Sequence, residues 1–328
     1  MSEYIYSKNN AKLIDLRNTL YGFDPSEASK TKIDAFNRKD LSSKLAFKRL
    51  FRPVKRRISC TSYIIPVNKT TSVTGYLFQR TVKRATDPSS LIIYIHEGGW
   101  TIGNPDITSA ICSNICDRTG AMVLAVDYRL APNFKFPSPV EDCYKAFLWA
   151  ETGAKYWKAD PAKIYLMGTS CGAGNAASVC QIARDQKGPK PAGQILIDPL
   201  TDCRLRTTSL ERFKNNPVLT VKQLSRFIEN YQNEPKDILD PMFSPLLSKD
   251  LSRLPDALIL SAEFDILSDD AKYYAKALEA ADSNVKLFVR EGAAHGTLSY
   301  PKSDDWSKYM DLIADFVKDT ALKNLKLR

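Results

Sequence analysis

The chain has 328 residues, of which 44% are hydrophobic and 26% are charged, and its formal net charge is +10. These proportions are ordinary for a globular protein, and the length suits one large α/β domain that carries an accessory lobe. No apolar run reaches the roughly 18 residues that a membrane-spanning helix requires, which argues against a membrane span.

The first residues and the cysteines bear on the cellular compartment. Residues 1–10 contain neither an apolar segment nor a small-residue cleavage site, so no signal peptide is expected. Seven cysteines, an odd number spread through the chain, indicate reduced thiols in a cytoplasmic protein. Cys112 and Cys116 share a predicted helix face, but the chain has only two histidines. We therefore expect no metal site.

The positive charge is concentrated at the N-terminal end. Residues 1–60 contain 14 Lys/Arg and 6 Asp/Glu, and residues 44–57 contain seven basic side chains and no acidic one. A solvated helical face is the favoured interpretation, and weak docking to an anionic surface is the alternative. No nucleic-acid-binding motif accompanies the basic segment, so we expect no nucleic-acid partner.

The predicted elements begin with helices and continue as strands that alternate with helices. Residues 9–52 place Leu13, Leu16 and Leu20 at steps of three and four, which predicts helical structure. Short runs rich in β-branched and aromatic residues predict strands at 58–67, 73–80, 91–96, 122–127, 163–168, 194–198, 257–262 and 285–290. Further helices are predicted at 106–119, 138–151, 170–185, 269–281 and 305–318.

This alternation predicts the α/β class, with a mostly parallel central sheet flanked by helices. The stretch 201–250 breaks the pattern, because it is rich in Asn, Pro, Lys and Arg and contains a single predicted helix at 221–231. We expect this stretch and the N-terminal helices to cover the carboxyl edge of the sheet. The predicted division is a helical cap segment at 1–55, an α/β core at 56–200, a cap insertion at 201–249 and core again at 250–328.

The motif Gly-Thr-Ser-Cys-Gly occupies residues 168–172, directly after a predicted strand and at the start of a predicted helix. In that context a G-x-S-x-G motif forms a sharp turn that exposes the serine hydroxyl above the sheet, next to a helix N-terminus that favours negative charge. Ser170 is therefore the candidate nucleophile. A tight-turn serine without chemistry is the alternative.

A second glycine-rich turn follows another predicted strand. The run His-Glu-Gly-Gly-Trp at residues 96–100 comes directly after apolar residues 91–95. Such a turn can aim backbone N–H groups at the oxyanion of a tetrahedral intermediate. An ordinary Gly-Gly turn would explain the bend but not its pairing with Ser170.

His295 is the candidate general base. It follows the last predicted strand, and a serine hydroxyl becomes a good nucleophile only when a neighbouring imidazole can take its proton. Asp265, just past the strand at 257–262, is the favoured carboxylate to hold the other imidazole nitrogen. Glu263, Asp269 and Asp270 are the competing carboxylates.

With these motifs the sequence resembles the hormone-sensitive-lipase-like carboxylesterases of the α/β-hydrolase fold, over about residue 57 to the C-terminus. The order Ser170, Asp265, His295 is the order of that fold. Thr169 places the chain with the subgroup that has Thr before the nucleophile. Further matching segments are Tyr128–Pro132, Phe136-Pro137, Glu141-Asp142, Ser244–Leu246 and Leu254-Pro255.

The resemblance implies that the oxyanion is held by the backbone N–H groups of Gly98, Gly99 and Cys171. Glu97 departs from the family, which usually has a glycine there, and we expect its side chain to point away from Ser170, toward Arg129. Thr297 stands near the position where the family often has an aromatic residue.

Trp100 and Thr297 are the candidate pocket residues, with core packing an equal alternative for Trp100. In the family, a helical cap of this kind usually accompanies short- or medium-chain acyl groups. The expected function is hydrolysis of small carboxylic esters, and this chemistry implies no organic cofactor. An amidase or small-peptide hydrolase on the same triad and, with less support, a non-catalytic small-molecule binding protein are the alternatives. A homodimer is left open.

Overall fold

A computed structural model of the chain describes residues 8–51, 57–82, 89–297, 300–303 and 306–326. Within these residues the strands are β1 (Ile58–Pro66), β2 (Ser72–Arg80), β3 (Ser89–Ile95), β4 (Met122–Asp127), β5 (Ala159–Thr169), β6 (Gly193–Ile197), β7 (Ala257–Phe264) and β8 (Val285–Ala294). The helices are α1 (Lys8–Tyr21), α2 (Lys30–Asn37), α3 (Leu45–Leu50), α4 (Pro105–Thr119), α5 (Ser138–Gly153), α6 (Cys171–Asp185), α7 (Thr208–Arg212), α8 (Val221–Tyr231), α9 (Ser268–Ala280) and α10 (Trp306–Lys326).

The eight strands form one sheet in the order β1-β2-β4-β3-β5-β6-β7-β8. β2 runs antiparallel to both β1 and β4, and every other neighbouring pair is parallel. The sequence-based expectation of a mostly parallel sheet is confirmed. Because the carboxyl ends of parallel strands meet at one edge, the turns that follow β3, β5, β6, β7 and β8 lie near one another.

Burial explains why the central strands read as continuous apolar runs. The residues Leu91–Ile95 of β3 and Ala257–Leu260 of β7 are fully buried, as expected for strands that are covered by helices on both faces. The edge strand β8 instead alternates between half-buried and exposed residues along most of its length. The core of the molecule therefore lies on both faces of the central strands.

Capping residues fix the helix boundaries that the sequence predicts well. α8 begins and ends at the predicted residues. Its start is fixed by a reciprocal capping box between Thr220 and Gln223. α4 starts after an Asn104 cap and ends at Thr119, and the following Gly120 has φ 78°, the left-handed conformation typical of the residue after a helix C-terminus.

Some predicted boundaries differ from the structure. β5 starts at residue 159 instead of 163, because Ala159 pairs with Ser89 of β3 across a register shift. β8 continues to Ala294, whose partner in β7 is Phe264, again across a shift. The stretch 201–250 holds the short helix α7 and two 3₁₀ turns in addition to α8.

The N-terminal helices and the 201–249 segment are joined by side-chain hydrogen bonds, and together we name them the cap. The Asn18 amide donates to the Pro217 carbonyl, and the Gln223 amide donates to the Asp24 carboxylate. The cap also contacts the turn after β3, where the Asn37 side chain donates to the Thr101 carbonyl. Among the described helices, none is long and apolar enough to cross a membrane.

Candidate active site

The turn between β5 and α6 holds Ser170 in an unusual backbone conformation. Ser170 has φ 58°, a region that costs a non-glycine residue free energy, and its N–H donates to the Ile197 carbonyl at 2.8 Å. Glycine is required on both sides, since a Cβ on Gly168 would collide with the Gly172 carbonyl, and a Cβ on Gly172 with the Ile95 carbonyl. The sequence motif therefore folds as the expected sharp turn.

Three side chains from three strand ends form one hydrogen-bonded series. Nε2 of His295 lies 3.0 Å from Oγ of Ser170, and Nδ1 of His295 lies 2.7 Å from Oδ2 of Asp265. Asp265 is fully buried, whereas Ser170 and His295 each keep 7% exposure. The structure thus brings together the candidate nucleophile, base and carboxylate in an arrangement that can transfer a proton from the hydroxyl.

The competing carboxylates are used elsewhere. Glu263 accepts from the Gly292 N–H, Asp269 accepts from the Ser209 N–H, and Asp270 accepts from the Thr201 N–H. Asp265 accepts from the Leu267 N–H with its second oxygen, which fixes the carboxylate against the imidazole. The geometry therefore selects Asp265 among the four acidic residues.

The electrostatic environment of His295 raises its pKa above the usual imidazole value. Burial acts in the opposite direction and lowers the pKa, but the Asp265 charge and hydrogen bond, with a further contribution from Asp198, outweigh it. Arg17 of α1 repels the protonated ring and opposes the rise. The net effect stabilises the imidazolium that would form when the hydroxyl is deprotonated.

The turn after β3 faces the same point. Gly98 has φ 113° and Gly99 has φ 58°, and a Cβ on Gly98 would collide with the carbonyl of Ile102. His96 stiffens this turn, since its Nδ1 lies 2.6 Å from the Glu97 carbonyl oxygen and its ring stacks on Tyr128 at a centroid separation of 4.2 Å. The turn is therefore held with its glycines beside the nucleophile.

A cavity of about 650 Å³, which includes its open mouth, lies over these groups. The cavity is lined by residues of the β5–α6 turn, the turn after β3, the His295 turn and the cap: Arg17, Tyr21, Pro25, Glu97, Gly98, Gly99, Ile102, Thr169, Ser170, Cys171, Leu200, Val218, Leu219, Gln223, Leu224, Phe227, His295, Gly296 and Tyr300. A lining of apolar side chains with a few converging polar groups suits a small organic molecule.

Comparisons with known proteins identify the family. Residues 92–299 match the family described as alpha/beta hydrolase fold. The chain belongs to that family. It is 40% identical to the carboxylic ester hydrolase LipN of Mycobacterium tuberculosis over 215 residues, 64% of this chain and 57% of that protein. It is 34% identical to an arylesterase of Saccharolobus solfataricus over 226 residues, 68% of this chain and 72% of that protein.

A solved structure extends the likeness to nearly the whole chain. The hyperthermophilic esterase of the archaeon Pyrobaculum calidifontis superposes with a TM-score of 0.84 at 27% identity, over 96% of this chain and 99% of that one. The fold and family that the sequence motifs predict are thereby confirmed. The chain spans little more than half the length of LipN, so likeness to that relative concerns the part that is aligned.

Two pocket expectations for this α/β hydrolase require correction. Among the described residues that line the cavity, neither Trp100 nor Thr297 is found. Trp100 is 1% exposed, its indole N–H donates to Asn175, and its ring stacks on Tyr231 of α8. The Thr297 hydroxyl donates to the Ala294 carbonyl. Both residues therefore support the site from the core, because their polar atoms already have partners inside the protein.

The expectation that Glu97 turns toward Arg129 is wrong. The Arg129 guanidinium binds the buried Asp142 carboxylate, with the shortest N–O distance 2.7 Å. Glu97 instead lines the cavity and accepts a hydrogen bond of 3.1 Å from the Tyr94 hydroxyl. Arg129 binds Asp142 and not Glu97 because the Asp142 carboxylate is fully buried and also accepts a hydrogen bond from the Arg129 backbone N–H.

Sequence reasoning missed Asp198, a second buried carboxylate in this α/β hydrolase site. Its oxygen, an oxygen of Asp265 and a ring nitrogen of His295 all lie within 4.8 Å of one another. Asp198 lies at the end of a predicted strand, a position similar to that of Asp265 just past the end of the neighbouring strand. An acidic residue at the end of a buried strand is therefore the signal that could have identified Asp198.

Proposed function

We propose that this α/β hydrolase is a serine carboxylesterase that hydrolyses short- to medium-chain carboxylic esters through an acyl-enzyme. The observation that carries the proposal is the hydrogen-bonded series of Ser170, His295 and Asp265, with separations of 3.0 and 2.7 Å, beneath an open cavity. Nucleophile, base and orienting carboxylate within hydrogen-bond reach are the signature of nucleophilic acyl transfer. The esterase names of the aligned relatives support the same activity.

The proposed mechanism has two proton-coupled steps. His295 takes the proton of Ser170 as Oγ attacks the ester carbonyl carbon, and Asp265 stabilises the imidazolium. The imidazolium then protonates the leaving alkoxide oxygen as the ester C–O bond breaks, which leaves the acyl group on Ser170. A water molecule, deprotonated by His295, then attacks this acyl carbonyl carbon. The bond between the carbonyl carbon and Oγ of Ser170 breaks, the imidazolium returns its proton to Oγ, and the carboxylic acid leaves the free enzyme.

The oxyanion is proposed to bind the N–H groups of Gly98, Gly99 and Cys171, which line the cavity. Cys171 is the first residue of α6, so its N–H belongs to the first turn, where backbone donors have no partner within the helix. The helix dipole also favours negative charge there. Loss of one such donor typically lowers kcat by about 10²- to 10³-fold.

The cap supports the proposed preference for short and medium acyl chains. The ring of Phe227 in α8 packs so closely on Gly99 that a Cβ on that glycine would collide with it. Leu219 and Leu224, from the same 201–249 segment of the cap, contribute apolar side chains to the cavity wall. These side chains restrict the space beside the proposed oxyanion donors, which favours acyl groups of limited length.

Two other functions fit part of the site. An amidase or small-peptide hydrolase would use the same series, because only the leaving group differs. A non-catalytic binding protein could use the cavity but would not require a base, whereas His295 lies within hydrogen-bond distance of Ser170. We therefore rank ester hydrolysis first and amide hydrolysis second.

The test compares p-nitrophenyl acetate with p-nitroacetanilide as substrates. We expect the wild-type protein to cleave the acetate far faster, and Ser170→Ala to lose that activity. Ser178→Ala, which removes a buried hydroxyl further along α6, is the matched control and should retain it. Full activity of Ser170→Ala would contradict the proposal, comparable anilide cleavage would favour the amidase, and tight ligand binding without any cleavage would favour the binding protein.

Exposed basic side chains and an edge strand bear on the partners of the protein. Around α3 the exposed residues include Lys44, Leu45, Lys48 and Arg49, which supports a weak contact with anionic surfaces. Residues 52–56 of the basic segment lie outside the described residues. Cosedimentation with anionic but not neutral vesicles would support this contact. For a homodimer, β8 lies at an edge of the sheet, where strands from two copies can pair, and light scattering would measure the mass in solution.

The cysteines and the cavity lining bear on the cellular compartment and the domain organisation. All seven cysteines are free, which supports a reducing compartment such as the cytoplasm. The cavity is lined by cap residues from both parts of the sequence, such as Arg17 and Phe227, which supports the division into a cap (1–55 and 201–249) and a core (56–200 and 250–328).

A further inference from the structure

Asp198 occupies a strained position at the carboxyl end of β6. It follows Ile197 directly, has φ 44°, and donates its N–H to the Leu260 carbonyl of β7 at 2.8 Å. A non-glycine residue with positive φ costs free energy and persists only where its surroundings hold it. This backbone conformation accompanies a side chain that reaches across β7 toward the end of β8.

The Asp198 carboxylate joins the two turns that carry the other candidate groups. One oxygen accepts the Ala262 N–H of β7 at 2.7 Å, and the other accepts the Gly296 N–H at 2.8 Å. Ala262 precedes Asp265 by three residues, and Gly296 directly follows His295. A fully buried side chain therefore connects three neighbouring strand ends at the place where the hydrogen-bonded series is assembled.

Charge adds to this mechanical connection. Burial and the neighbouring Asp265 charge raise the pKa of Asp198, while His295 and the two N–H donors act in the opposite direction. In turn, the Asp198 charge raises the pKa of His295, and Arg17 of α1 lowers it. The imidazole thus faces two carboxylates and one guanidinium, and its protonated form is favoured by Asp198.

We propose that Asp198 is a positioning residue for the proposed hydrolysis: it holds the His295 turn against the Asp265 turn and stabilises the imidazolium with its negative charge. This inference rests on the proposed function. A residue that merely completed the fold would accept the two backbone N–H bonds without any influence on the protonation of His295. The pH dependence of catalysis separates the two roles.

The test is Asp198→Asn, which preserves size and one acceptor oxygen but removes the charge. We expect kcat/KM for p-nitrophenyl acetate to fall by about 10- to 100-fold and the acid limb of its pH profile to move to lower pH. The direction follows because the acid limb reports the pKa of the base in the free enzyme, and loss of a nearby negative charge lowers the pKa of His295. If the asparagine variant fails to fold, Asp198→Ser replaces it in the test. The serine variant also lacks the charge and should move the acid limb in the same direction.

Asp270→Asn is the matched control. Asp270 is also a buried carboxylate that accepts two backbone N–H bonds, from Thr201 and Asp202, and burial raises its pKa too. Its loss should leave the acid limb in place. An unmoved acid limb in folded Asp198→Asn would overturn the inference, whereas ester hydrolysis that survives Ser170→Ala would overturn the proposed function itself.

Discussion

His295 is the residue whose surroundings decide the chemistry. It is buried, yet it contacts a carboxylate on one ring nitrogen and a hydroxyl on the other. Burial alone would keep the ring neutral and a poor proton carrier through the transition state. The Asp265 charge reverses this tendency, so the ring can accept the Ser170 proton without leaving an uncompensated buried cation.

Asp265→Asn tests this balance through both rate and pH. The pKa of His295 lies above the usual imidazole value of about 6.5, so wild-type kcat/KM should decline as pH falls through that raised pKa. The amide removes the charge and favours the wrong imidazole tautomer, which in a serine protease lowers kcat by about 10⁴-fold. We expect a loss of similar order here, with an acid limb at lower pH, measured by initial rates between pH 5 and 9.

Glu263→Gln is the control for that substitution. Glu263 is an acid two residues away that accepts the Gly292 N–H and lies outside the hydrogen-bonded series. Its variant should keep most of the activity and the wild-type acid limb. Equal losses in both variants would indicate a general disturbance of the turn after β7 and contradict the assigned role of Asp265.

At the scale of elements, the cap helix α8 packs against the turn after β3. Phe227 packs on Gly99, and Tyr231 stacks on Trp100 with ring centroids 4.3 Å apart. The helix is fixed at its start by the Thr220 capping box. Because the same helix face contacts the glycine turn and lines the cavity, its side chains can set the space that is open to an acyl group.

Phe227→Ala should enlarge this space. We expect the optimum in a p-nitrophenyl ester series from acetate to decanoate to move to longer chains, together with a loss of about 3–5 kcal/mol in the free energy of unfolding. Phe213→Ala, which removes an equally buried ring of the cap that lies outside the cavity lining, should lose stability without changing the optimum. An unchanged chain-length profile in Phe227→Ala would contradict the proposed role of the cap.

The sequence predicts those elements whose signals are local. α8 has the expected bounds because its capping box and its helical periodicity lie in adjacent residues. Ser170 and the Gly98-Gly99 turn are predictable because only glycine tolerates the close contacts there. By contrast, the partner of Glu97 and the role of Asp198 depend on side-chain contacts that form only when three strands are paired in the sheet. No local sequence pattern encodes such tertiary contacts.

Trp100 illustrates the same limit. A large aromatic residue beside a glycine turn suits a pocket wall or a core cluster equally well. The structure places it in a cluster with Tyr231, Phe243 and Phe136, supplied by distant parts of the chain. Its indole N–H is satisfied by Asn175, so burial is compatible with its polar atom.

At the scale of the whole molecule, the ion pair between Arg129 and Asp142 is largely shielded from solvent. Arg129, just after β4, binds Asp142 of α5, and the two side chains are 18% and 0% exposed. The pair ties a loop at the carboxyl edge of the sheet to a covering helix. Removal of one partner from a buried pair leaves the other charge uncompensated.

Arg129→Ala should therefore lower the free energy of unfolding by about 3–5 kcal/mol, measured by urea denaturation at pH 7. Arg118→Ala is the matched control, because Arg118 also binds an aspartate, Asp311, but both side chains are largely exposed, at 42% and 56%. Exposed pairs contribute at most about 1 kcal/mol. Similar losses in the two variants would contradict the importance assigned to the internal pair.

Covalent labelling with a fluorophosphonate, followed by mass spectrometry of the digested protein, tests the central claim most directly. The proximity of the His295 imidazole to the Ser170 hydroxyl predicts a single phosphonyl adduct on the peptide that contains Ser170. The adduct should be abolished by Ser170→Ala and strongly slowed by His295→Ala. An adduct on another residue, or labelling of the Ser170→Ala variant at the wild-type rate, would contradict the account.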